Sequence, residues 1–93
     1  MFWIVCYDIT DDKRRRKVAD ILESYGQRAQ YSVFECDMSD RQQMTLQGKL
    51  RRVIDEAEDD VRFYPLNEAD IERVKTLGRK AKINRLPAFY ITP

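Results

Sequence analysis

The chain contains no histidine. That removes Ser/His/Asp triads, Cys/His pairs, an imidazole general base and every histidine metal ligand. Cysteine is scarce as well. Cys6 and Cys36 are too few for a structural zinc site, and both lie in apolar or strand-like stretches. They read as two reduced, buried thiols of a cytoplasmic protein rather than as a disulfide. Three Gly and three Pro in 93 residues leave no room for a linker, so residues 1–93 are expected to form one small domain. No charge predominates: 17 Lys and Arg face 16 Asp and Glu, so any contact with nucleic acid needs a local patch. No apolar run approaches the ~20 residues of a membrane span. The apolar start lacks a basic leader and reaches Asp8 too soon for a signal segment, so no membrane partner is expected.

What is present is periodic. Residues 2–9 (FWIVCYDI) are β-branched and aromatic, with Phe2, Ile4 and Cys6 on one face and Trp3, Val5 and Tyr7 on the other. Both faces need cover, which predicts a central strand. Asp8 ends it with a charge out of keeping with what precedes it. Val18, Ile21, Leu22 and Tyr25 then mark a first helix, capped in the region 10–12 and closed by Gly26. Stepping back from Val18 by about 100° per residue puts Arg14 in line with the apolar stripe, Arg15 on its flank and Arg16 toward solvent.

Residues 27–37 (QRAQYSVFECD) form one strand or two short ones folded at 30–32. Ser39 and Gln42 match a capping box, and Leu46, Leu50, Val53, Ile54 and Ala57 mark a second helix fraying into the acidic run 55–60, which is given no metal role. A third strand at 61–66 meets Pro65, a short helix at 68–77 stops at Gly78, and after the basic stretch 79–85 a last strand closes the chain at 86–92. These elements predict an α+β, ferredoxin-like βαββαβ sandwich with an additional C-terminal strand. Its helices cover one sheet face. A second copy of the chain is the simplest cover for the other, giving a homodimer.

Asp8 has two readings: a helix cap or arginine partner, or a hard oxygen ligand for Mg²⁺ or Mn²⁺. One carboxylate per chain is a poor metal site. A two-fold axis beside the strand end would bring two Asp8 side chains together around one ion. Without histidine the nucleophile of a hydrolysis would be water on that metal, which is phosphodiester chemistry. The basic run 13–17 opposes the dipole of its own helix, so Arg14 and Arg15 either hold an anion with the helix N-terminus or form a solvated face paired with Asp11, Asp12 and Asp20. Arg28 adds a candidate phosphate contact beside Tyr31 and Phe34, with interface packing favoured over base stacking for Phe34. Arg79, Lys80, Lys82 and Arg85 are a second, weaker backbone contact.

YDITDD at 7–12 with its basic helix, RAQYSVFE at 28–35 and DVRFYPL at 60–66 together resemble the small CRISPR-associated endonuclease family of the spacer-adaptation module, in order over residues 1–66. The resemblance implies a symmetric homodimer whose last strand adds to the partner's sheet, with Mg²⁺ between two copies of Asp8. It further implies nuclease action on single-stranded RNA or double-stranded DNA, and a place as the central dimer bridging the adaptation integrase. In that last role the nuclease aspartate need not matter. The family's functional positions fall on Tyr7, Asp8, Arg15, Arg28 and Phe34. A further basic position falls on Lys17, which lacks the bidentate fork of arginine and is left out of the catalytic set.

Overall fold

A computed structural model describes residues 1–78. The expected last strand at 86–92 and the cations of 79–85 lie outside the described residues. The elements run β1 (Phe2–Asp8), α1 (Asp12–Glu23), β2 (Gln27–Gln30), β3 (Val33–Asp37), α2 (Asp40–Arg51), β4 (Asp60–Leu66) and α3 (Glu68–Glu72). The four strands form one antiparallel sheet in the order β2-β3-β1-β4, the ferredoxin-like arrangement, with β1 central as its two apolar faces require. Residues 27–37 are a hairpin, with a register shift between Arg28 and Gln30.

The pleat of β1 divides the molecule. Val5 and Tyr7 point to the helices, where Val18, Ala19 and Leu22 of α1 and Leu46 and Leu50 of α2 close over them and over Phe34 and Cys36. Phe2 and Ile4 point the other way. That side is less bare than the sequence pattern implies, because Ile71 of α3 is buried against Phe2, with Ile4 and Leu66 packed around them. Cys6 and Cys36 are both free and register with Val33 and Trp3, so they sit on opposite sheet faces and cannot bridge. Burial, helped by the neighbouring Glu35 carboxylate, pushes the Cys36 thiol up to about 11, so it stays protonated at neutral pH.

Local signals set the element ends. Asp11 caps α1 by accepting from the Arg14 backbone N–H. Ser39 and Gln42 make both bonds of the capping box on α2. Two helices stop sooner than their apolar spacing predicts. The second ends at Arg51, and beyond it Asp55 organises a turn of its own by accepting from the backbone of Ala57, Glu58 and Asp59. The third ends at Glu72, leaving Val74 exposed and Leu77 almost fully so, since among the described residues only Ile71 of the three is packed against the sheet. Among the described residues no helix is long and apolar enough to cross a membrane.

Gly26 is fixed by packing. A Cβ there would lie 2.2 Å from the Glu35 carbonyl oxygen and 2.6 Å from the Cys36 sulfur, so a bare backbone is what lets the α1–β2 connection cross β3. Gly48, inside α2, has nothing within 4 Å of its hypothetical Cβ. Gly26→Ala should therefore cost about 1–3 kcal/mol through overpacking. Gly48→Ala should gain about 0.5–1 kcal/mol of helix propensity. Urea denaturation of both variants checks the contrast, and equal effects would refute it.

Candidate active site and basic pocket

Asp8 lies at the carboxyl end of β1, on the sheet face away from α1 and α2. Across the β1–β4 ladder it faces Asp60, and along the same face Cys6 faces Arg62 and Ile4 faces Tyr64. Cys6, Asp8, Asp60, Arg62 and Tyr64, with Tyr7 at its edge, line an open groove of about 280 Å³. Arg62 donates from Nε and Nη2 to the Asp60 carboxylate at 3.2 and 3.0 Å. Its Nη1 reaches the Tyr64 hydroxyl at 3.4 Å. Asp8 is exposed and, among the described residues, its carboxylate makes no hydrogen bond or ion pair. It does not cap α1, since Asp11 does that, and it pairs with no arginine among the described residues.

Tyr7, one residue earlier, points through the sheet to the other side. There α1 and β2 enclose a second pocket, about 310 Å³, lined by Tyr7, Arg15, Arg16, Arg28 and Tyr31 among others. Arg15 donates to the backbone carbonyls of Ile9 and Thr10 at 2.9 and 3.3 Å and to the Asp12 carboxylate, clamping the β1–α1 connection. Arg28 donates to the Tyr31 carbonyl at 3.0 Å and lies over the Phe34 ring, 5.2 Å from its centroid. Burial pushes the Tyr7 phenol above its ordinary range, with the Arg28 guanidinium opposing the shift, so the hydroxyl remains a donor.

Two expectations change here. Phe34 is fully buried, so it neither stacks on a base nor covers an interface; it packs on Tyr7 at 6.4 Å between ring centroids and forms the floor beneath Arg28. Arg14 is not a free cation. Its Nε and Nη2 hold the two oxygens of Asp59 at 2.8 and 3.1 Å. The Asp59 side chain has no exposed surface and also accepts from the Asp55 backbone. The acidic run thus anchors the start of α1 to the turn after α2, and the Arg14 bond holds the Asp59 carboxyl below the usual carboxylate range. Arg16, assigned to the solvent side, is exposed on the pocket rim and has no ion-pair partner among the described residues.

The proposed site residues therefore separate. Tyr7, Arg15, Arg28 and Phe34 gather on the helix side, and Asp8 stands alone on the other. Sequence reading missed Asp60, Arg62 and Tyr64. Their alternation in DVRFYPL was the available signal, but only the β1–β4 register says which strand end they share. Among the described residues no three Asp, Glu or Cys side chains converge to hold a metal. Asp8 offers hard oxygen donors with no competing partner among the described residues, which suits an ion such as Mg²⁺ that keeps most of its waters and takes one or two carboxylates.

A ferredoxin-like sandwich with a free carboxylate on one sheet face and an arginine-rich pocket behind it defines a small α+β protein with separate acidic and basic surfaces. Residues 1–74 match the family model for CRISPR associated protein Cas2, and the chain belongs to that family. It is 49% identical over 76 residues to the CRISPR-associated endoribonuclease Cas2 3 of Synechocystis sp., covering 82% of this chain and 83% of that one. Among solved structures it resembles Streptococcus pyogenes Cas2, with a TM-score of 0.76 and 40% identity over 84% of this chain and all of that one. A chain of a partial Cas6-RT-Cas1–Cas2 complex gives 0.74 and 29% identity, covering 92% and 98%.

The geometry separates two neighbouring arginines. Arg14→Ala should lower the melting temperature, whereas Arg16→Glu should leave it unchanged and weaken duplex binding, with the log–log salt slope falling by about one. Because the folded-state value of Asp59 is depressed, its contribution is complete above the ordinary carboxylate value and is lost as pH falls through the lower, folded one. Asp59→Asn should abolish that part of the acid limb in thermal scans from neutral pH to pH 2.

Proposed function

We propose that the protein is a metal-dependent endonuclease of CRISPR adaptation, acting on phosphodiesters of single-stranded RNA or double-stranded DNA, in which Asp8 and its counterpart in a second copy hold the ion. The observation that carries this reading is the Asp8 carboxylate itself, exposed at a strand end with no structural partner among the described residues. Mg²⁺ or Mn²⁺ bound there would supply an activated water and offset charge on the phosphate. The Synechocystis relative's designation as an endoribonuclease supports the activity.

The remaining residues serve that site from behind. Arg15 fixes the backbone of the loop that leaves Asp8, and the Tyr7–Phe34 stack keeps the strand end level under Arg28. Arg16 with Arg15 and Arg28 forms a patch that a nucleic-acid backbone can cross, on a chain whose overall charge is nearly zero. The homodimer is supported by the strip of Ile4, Cys6 and Val33, which stays partly exposed although Ile71 of α3 covers the end of it at Phe2 and Ile4. A well-folded monomer at micromolar concentration in light scattering would reject it.

A second reading is favoured by the likeness to a chain from a Cas1–Cas2 complex: the dimer is a DNA-binding scaffold for the adaptation integrase. Asp8→Asn separates the two. Cleavage of RNA and duplex DNA in Mg²⁺ should fall by orders of magnitude, while dimer mass and DNA binding survive, since removing two facing carboxylates relieves repulsion. Unchanged cleavage sinks the metal-site assignment. Lost cleavage with intact spacer acquisition in cells makes scaffolding the cellular task.

A further inference from the structure

Among the described residues the groove around Asp8 contains one cation, Arg62, and the reading of Asp8 as the catalytic carboxylate gives it no task. Hydrolysis of a phosphodiester adds water across one P–O bond. The leaving sugar oxygen takes a proton from solvent, and negative charge grows on the non-bridging oxygens on the way. A donor on the same side of the sheet as the carboxylate is needed for that charge. Arg15 and Arg28 lie behind the sheet and are committed to backbone carbonyls. Arg62 is on the correct face, in register with Cys6, two residues before Asp8 along β1. Its side chain is 62% exposed and rests on Asp60, itself 49% exposed, so the pair is an open one that solvent already weakens. A planar guanidinium fork fits two phosphate oxygens as well as it fits a carboxylate.

We propose that Arg62 is a further catalytic residue: held on Asp60 in the free protein, it transfers its fork to the non-bridging oxygens of the phosphodiester at Asp8. Asp60 is then a holding residue, placed directly across the ladder from Asp8 so that the fork is released within reach of the reacting phosphate. The proposal rests on the Asp8 reading above. It assigns a role to Asp60 and Arg62, which the sequence presents as the end of an acidic run and a position early in a strand.

The test uses the full chain with an end-labelled single-stranded RNA and a duplex DNA in Mg²⁺. Four variants are compared: Arg62→Ala, Arg62→Lys, Asp60→Asn and Asp8→Asn. Arg62→Ala should lose roughly a hundredfold in kcat with little change in KM, as expected for a donor used in the transition state. Arg62→Lys keeps the charge without the fork and should recover part of the loss. Asp60→Asn releases the fork and should cleave faster at subsaturating substrate. An ion pair that only braced β4 would make Asp60→Asn and Arg62→Ala lose melting temperature and activity alike, which overturns the proposal. Wild-type cleavage by Arg62→Ala beside an inactive Asp8→Asn overturns it too and leaves Asp8 standing. Wild-type cleavage by Asp8→Asn instead overturns the reading on which it rests.

Discussion

The two-residue period of β1 governs where everything else goes. A central strand hydrogen-bonded on both edges cannot rotate, so each side chain is assigned a face and held there. Val5 and Tyr7 must be covered by the helices. Asp8, one step past Tyr7, must emerge on the other side. A pair adjacent in sequence, Tyr-Asp, is thereby divided between two surfaces: an aromatic positioned in a dry core against Phe34, and a carboxylate in water across from Asp60.

The charges follow the same division. With 17 cations and 16 anions, the chain has no net field to spend, so its chemistry depends on which ions neutralise one another locally. Asp59 is taken out of water and satisfied by Arg14 and a backbone N–H, a complete set of partners that makes a buried carboxylate tolerable. Arg15 and Arg28 are used to clamp connections. Among the described residues that line the two pockets, Asp8 on one surface and Arg16 on the other have no such duty.

Much of the fold was legible. The strand at the start, the capping box at Ser39, the cap region before the first helix, both long helices and the strand at 61–66 follow from periodicity and local chemistry, because these are decided within a few residues. The graded exposure of Arg14, Arg15 and Arg16 also came from helical angle alone. The hairpin at 27–37 was left open by the residues, since one strand of eleven and two short ones share the same composition. The ends of α2 and α3 went further in pattern than in structure: Val53 and Ile54 pack on the core from the turn that follows α2, and Val74 and Leu77 after α3 are exposed among the described residues.

The site was half legible for the same reason. Sequence by itself determined the chemical inventory: hard oxygen ligands without imidazole, a charge ending an apolar strand, and a basic first helix. It determined the face of each β1 residue too, because alternation is local. Only the tertiary structure decided the partners. That Arg14 is consumed by Asp59, 45 residues away, that Phe34 lies under Arg28 rather than at a surface, and that Asp60 and Arg62 stand beside Asp8 all depend on strand register and on which loops meet. Those are set by the packing of the whole core, and no window of neighbouring residues contains that information.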